Sequence, residues 1–188
     1  MEDLDAIAKE INNCKRCGLW KFRTNPVPGE GPPNPKIMFI GEAPGRNEDL
    51  QGRPFVGRAG KLLDELLNYI GVGRDEVFIG NILKDRPPQN RNPQPEEIKA
   101  CTPFLDMQLE VLKPKIICTL GNFSSAYILE KFGHTAESIS KIHGKSYKVI
   151  NLFLNLVVIP LYHPAAVIYN PNLKATLMED FRVIKEYL

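Results

Sequence analysis

Four short apolar runs punctuate the chain: residues 36–40 (KIMFI), 77–80 (VFIG), 115–120 (KIICTL) and 156–160 (LVVIP). Each is close to continuously apolar rather than alternating, the pattern of strands buried on both faces of a parallel sheet. Between the runs the apolar residues recur with a helical period. Leu62, Leu63, Leu66, Leu67 and Ile70 make one stripe, and Ile98, Cys101, Leu105, Leu109 and Leu112 make another. Ahead of the first run, Leu4, Ile7, Ala8 and Ile11 repeat at the same spacing and predict a helix ending near Asn12 and Asn13. A loop rich in proline and glycine, 26–35, follows. Strands alternating with helices predict a three-layer α/β/α sandwich around a central four-stranded parallel sheet. A chain of 188 residues is enough for one core, so residues 1–188 are read as a single domain without repeats or linkers.

Polar residues gather where these strands end. Gly41-Glu42-Ala43-Pro44-Gly45 follows the first run, Asn81 the second, Gly121 and Asn122 the third, and Tyr162-His163-Pro164 the fourth. Open parallel sheets bind ligands outside the carboxyl ends of their strands, so these loops should line one crevice holding Glu42, Asn81 and His163. An amide can read a base edge with one donor and one acceptor. A carboxylate can orient water or stabilise a cation, and an imidazole can donate to a developing oxyanion. The set suits cleavage of a bond with an oxocarbenium-like transition state and an anionic leaving group, such as the bond between a sugar and a base. Phe55, in "GRPFVG", offers a flat surface for a base or a core side chain.

Composition narrows the setting. With 43% hydrophobic and 24% charged residues the chain is of the ordinary globular class, and no apolar run approaches the roughly 20 residues of a membrane helix. The acidic N-terminus does not resemble a signal peptide, so an intracellular, cytoplasmic protein is expected, with no membrane partner. A net charge of +2 allows nucleic-acid binding without requiring it. Four cysteines in such a protein read as reduced thiols or a metal site. Cys14-x-x-Cys17 is a chelating pair for zinc or an iron-sulfur cluster. Cys101 lies on an apolar helical stripe, where a packed thiol is the alternative, and Cys118 sits inside the third strand, a poor place for a ligand.

Three ordered stretches, "GEAPGRNEDLQGRPFVGRAGKLLDELL" (41–67), "NILKDRPPQNRNPQPEEIKACTPFLDMQLEVLKPKIICTLG" (81–121) and "HPAAVIYNPNLK" (163–174), resemble the family 4 uracil-DNA glycosylases, the thermostable iron-sulfur type. The resemblance covers nearly the whole chain, from the Cys14–Cys17 pair onward. It implies a prokaryotic DNA repair enzyme of base excision repair that extrudes uracil and hydrolyses its N-glycosidic bond. By matching positions, Glu42 would orient water and stabilise the sugar cation. The Ala43 backbone and a neutral His163 would hold uracil O2, Phe55 would stack on the base, and Asn81 would read O4 and N3. A tyrosine excludes thymine in the best-known branch of the superfamily. Gly45 stands there here, and Glu48 is the candidate wall. Val167 falls where relatives insert an apolar wedge, Tyr169 replaces a frequent arginine, and Asn122 is a candidate phosphate contact or helix cap.

The same resemblance implies a 4Fe-4S cluster held by the C-x-x-C pair, a cysteine in "K-C-R-P-P" and a later helical cysteine. Here these positions are Cys14, Cys17, Asp85 and Cys101. Asp85 would coordinate iron, leave one iron labile so that a 3Fe-4S cluster forms, or mark a lost cluster; zinc on three thiolates and a carboxylate is a further reading. A cluster here would be structural, because hydrolysis needs no electron. The expected partner is uracil-containing DNA, single- or double-stranded, bound by a monomer, with a sliding clamp as a candidate contact. Two rivals are a uracil-DNA binding protein without turnover and a non-catalytic iron-sulfur DNA-binding module. The first rests on a branch with an inserted histidine-containing loop, which the stretch 84–101 lacks.

Overall fold

The structure, a computed structural model, describes residues 3–150 and 154–188; Met1 and Glu2 of the acidic N-terminus lie outside the described residues. In chain order the elements are α1 (Leu4–Asn13), β1 (Ile37–Gly41), α2 (Arg46–Gln51), α3 (Arg58–Ile70), β2 (Val77–Asn81), α4 (Pro95–Leu112), β3 (Ile116–Leu120), α5 (Asn122–Lys131), α6 (Ile139–Ile142), β4 (Tyr147–Ile150), β5 (Asn155–Leu161), α7 (Pro164–Tyr169) and α8 (Leu173–Lys185). The sheet order is β2-β1-β3-β5-β4. The four expected strands are the parallel ones. The sheet has a fifth member, β4, which pairs antiparallel with β5 at the edge. Its sequence, YKVI, buries only Val149, so it carries no continuous apolar run of the kind that reveals the other four.

Alternation along β1 divides the interior in two. Ile37 and Phe39 join α3 and α8 on one face, where Leu63, Leu66, Leu67, Leu177, Phe181 and Ile184 are buried. Met38 and Ile40 face the opposite way, toward Leu105, Leu109 and Leu112 of α4 and toward α5 and α6. That is the three-layer sandwich, produced by a side-chain period of two in the strands and an apolar stripe on each helix. A third, smaller cluster joins α1 to α4 through Ile7, Ile11, Leu19, Leu83, Cys101 and Phe104. It anchors the N-terminal segment, with its cysteine pair, outside α4.

The exposed side of β2 is covered rather than left open. Glu30, in the Pro/Gly-rich loop, exchanges backbone hydrogen bonds with Ile79 at 3.0 and 2.8 Å, which caps an edge that would otherwise offer free ladder groups. Among the described residues no helix is long and apolar enough to cross a membrane.

Phe181 packs against Phe39 with ring centroids 5.8 Å apart, and both side chains are fully buried. Phe181→Ala should therefore lower unfolding stability by about 3–5 kcal/mol, measured by denaturant titration, because it leaves a cavity beneath the sheet.

Candidate active site

Parallel pairing puts the ends of β1 and β2 side by side, with Gly41 opposite Asn81. A Cβ at Gly41 would lie 2.4 Å from Asn81 Oδ1 and 2.8 Å from the Phe55 ring, so only glycine lets the amide and the ring share this corner. Chain segments after β1, β2 and β5 close around a cleft of about 420 Å³. Glu42, Ala43, Glu48, Phe55, Asn81, His163 and Tyr169 all line it, so the residues expected from three strand ends do meet.

Asn81 is 1% exposed, and its Oδ1 is buried without a hydrogen-bond partner. An orphaned buried acceptor costs on the order of 1–3 kcal/mol, which a ligand N–H can recover. Phe55 has a positive φ of 49°, uncommon for a bulky residue. Several contacts hold it there. Arg74 donates to the carbonyls of Pro54 (2.6 Å) and Phe55 (3.0 Å), and Gly60 approaches so closely that a Cβ would stand 1.8 Å from the Phe55 carbonyl oxygen. The Phe55 ring lies 5.5 Å from that of His163, tilted by 27°.

His163 caps the N-terminus of α7, and its Nδ1 accepts the Ala165 N–H at 3.0 Å. That bond assigns the proton of a neutral ring to Nε2. Burial pushes the imidazole pKa down to about 4, so the ring is a neutral donor at physiological pH. Glu42 is half-buried, and burial raises its carboxyl above the usual range. Glu48 is no free surface acid: one carboxylate oxygen accepts the N–H groups of Val56 and Gly57, each at 2.9 Å. A Cβ on Gly45 would lie 2.8 Å from its other oxygen, so Glu48 fills the space beside that glycine.

The C-terminal expectations are modified. Val167 is 7% exposed and packs in the core beside α3 and α8, which leaves it no free apolar surface for a wedge. Two residues on, Tyr169 is 89% exposed at the mouth of the cleft, where an insertable side chain would have to be. Helical rotation turns one inward and the other out. Asn122 does not line the cleft; its Oδ1 accepts the Ile139 N–H at 2.8 Å and ties α5 to α6.

A second cavity lies on the other side of the segment after β2. Cys14, Cys17, Asp85 and Cys101 line it together, between α1 and α4, in a space of only about 10 Å³. Cys118 is buried in β3 and takes no part. Both oxygens of Asp85 accept from one Arg23 nitrogen at 3.0 Å, and Arg23 also donates to the Asn12 carbonyl. Among the described residues no group of three or more His, Cys, Asp or Glu side chains is already drawn together as a site for a single metal ion. Three convergent thiols fit an iron-sulfur group in donor chemistry, and Asp85 is turned toward a guanidinium. The sequence reading missed Arg23, and it missed Lys84, a buried lysine next to Asp85. Lys84 carries no local signal, since a lysine in a proline-rich loop ordinarily stays in water. Arg23 carries no local signal, because its partner is 62 residues away.

Comparison with known proteins agrees with this geometry. The profile of the uracil DNA glycosylase superfamily matches residues 28–184. A type-4 uracil-DNA glycosylase of Sulfurisphaera tokodaii is 54% identical over 187 residues, covering 99% of this chain and 85% of that protein. Those of Archaeoglobus fulgidus and Thermotoga maritima are 48% and 39% identical, covering 99% and 100% of this chain and 94% and 95% of theirs. A type-5 uracil-DNA glycosylase of Thermus thermophilus is more distant, at 31%. Segments following three strand ends that line one cleft, and full-length similarity at this level, lead to the same place: the chain belongs to the uracil-DNA glycosylase superfamily, among its type-4 members.

Proposed function

We infer that the protein excises uracil from DNA by hydrolysing the N-glycosidic bond, leaving an abasic site. The observation that carries this reading is the orphaned Oδ1 of Asn81 in a cleft that also holds a neutral imidazole donor. Uracil presents the complement. Its N3–H meets Asn81 Oδ1, its O4 accepts from the Asn81 amide, and its O2 accepts from His163 Nε2 and the Ala43 backbone.

As the bond from C1′ to N1 breaks, its electron pair passes to the uracil ring and charge builds on O2. A fixed, desolvated donor stabilises that charge without needing to give up its proton. Glu42 orients the water whose oxygen attaches to C1′, receives its proton, and balances the sugar cation meanwhile. Phe55 supplies the stacking surface. Cytosine would place a lone pair against Asn81 Oδ1 and an amine against its amide, a mismatch able to supply about 10⁴-fold rejection. Thymine would bring a methyl group toward the wall made by Glu48 beside Gly45. Tyr169, exposed at the mouth, stacks on or fills the gap beside the extruded nucleotide.

Cys14, Cys17 and Cys101 would hold an iron-sulfur cluster, with Asp85 beside it and paired to Arg23. Such a group supplies a cross-link between the N-terminal segment and α4, restricting a long loop in the unfolded chain. Burial pushes the Cys101 thiol up to about 12, so a metal is needed to make it a thiolate at neutral pH.

Glu42→Gln should lower single-turnover uracil release by roughly 10²–10⁴-fold while retaining DNA binding. A raised carboxyl pKa means the folded state favours protonated Glu42. Its destabilising effect is absent below the unfolded pKa and complete above the folded one, so Glu42→Gln should not lower the melting temperature at neutral pH. In the wild type, kcat/KM should fall with decreasing pH through one limb set by Glu42, above the usual glutamate range. No limb from His163 should appear near the ordinary histidine value, since its ring stays neutral to about 4. A limb there, abolished by His163→Asn, would contradict the assignment. For the cluster, iron and sulfide analysis with electron paramagnetic resonance should find iron lost from the wild type faster than from Asp85→Cys. Equal rates of loss would mean that Asp85 ligates as well as a thiolate or that the fourth position is not used.

A further inference from the structure

Lys84 is 2% exposed, and its ammonium has two neutral acceptors: the backbone carbonyl of Asn81 at 2.8 Å and Gln108 Oε1 at 2.8 Å. Gln108 is itself fixed, because its amide donates to the Pro28 carbonyl at 2.7 Å. The backbone N–H of Lys84 donates to Cys101 Sγ at 3.1 Å. A buried ammonium is costly to keep, and a chain needing only to fill this space could use an apolar side chain. What distinguishes Lys84 is the carbonyl it holds. That carbonyl belongs to the residue whose side-chain oxygen is left unpartnered in the cleft. The peptide that joins Asn81 to Ile82 is held at one end, where the Ile82 N–H donates to the Gly41 carbonyl, and the next peptide by the Leu83 N–H to the Glu42 carbonyl, both at 3.0 Å. The other end of that peptide is the Asn81 carbonyl, and Lys84 takes it.

We propose that Lys84, braced by Gln108, is a positioning residue that locks the Asn81 peptide and so aims its amide at the base. This rests on the reading of Asn81 as the group that recognises uracil. A small rotation of the peptide would swing the amide out of register with two hydrogen bonds at once, and misplacement by about 1 Å can cost on the order of 10²-fold in rate.

A double-mutant cycle on the metal-loaded protein tests it, with single-turnover uracil release and inhibition by free uracil as readouts. Lys84→Met should lower release by roughly 10–100-fold and weaken inhibition by free uracil. In an Asn81→Ala background the same change should cost less than about 2-fold, because there is no amide left to aim. An equal loss in both backgrounds would overturn the proposal and make Lys84 a general structural cation. If Asn81→Ala alone leaves uracil release unchanged, it is the base-reading role of Asn81 that fails. Should Lys84→Met not fold, Gln108→Met removes the brace, and the same non-additivity with Asn81→Ala is expected, at smaller size. Additivity there overturns the proposal equally.

Discussion

At the end of β1, the missing side chain of Gly41 makes a space that the Asn81 amide and the Phe55 ring both enter. The rest of the site depends on that close approach. Strand pairing sets Asn81 opposite Gly41, Arg74 and Gly60 hold the backbone of Phe55 in an unfavourable conformation, and the α7 cap turns His163 toward the same corner. Each contact would be expendable in a merely stable sandwich. Together they put a hydrogen-bonding amide, a flat ring and an N–H donor around one cleft.

The electrostatics of this volume come from burial rather than from nearby charges. Desolvation is the leading cause both of the lowered imidazole pKa and of the raised carboxyl of Glu42. A neutral donor opposite a carboxylate is a coherent arrangement for a reaction that builds a cation on the sugar and an anion on the base. The cavity lined by cysteines lies apart, and the segment after β2 serves both: Asn81 turns to the cleft, Asp85 to Arg23, and Lys84 spans the two.

Much of this was legible in the chain because parallel strands are nearly all apolar and their following loops are where a ligand binds. The sequence alone thus groups Glu42, Asn81 and His163. What escaped depends on long-range packing. The edge strand β4 buries one residue and looks like a loop. Val167 and Tyr169 differ only in which way α7 is rotated against α3, which no local pattern fixes. Arg23 meets Asp85 across 62 residues, so the aspartate in a cysteine position gave no sign that a guanidinium accompanies it. A lysine in a proline-rich loop ordinarily stays in water, so the sequence does not mark Lys84 as buried.

The similarity to type-4 enzymes and the geometry of the cleft make one claim together, that this corner of the sheet recognises uracil and cuts it from deoxyribose. The most direct measurement is chromatographic detection of free base after incubating the folded protein with matched single-stranded oligonucleotides carrying one uracil, cytosine or thymine. The account predicts release of uracil with an abasic site left behind, and no release of cytosine or thymine. Intact uracil-containing strands, or comparable release of cytosine, would contradict it.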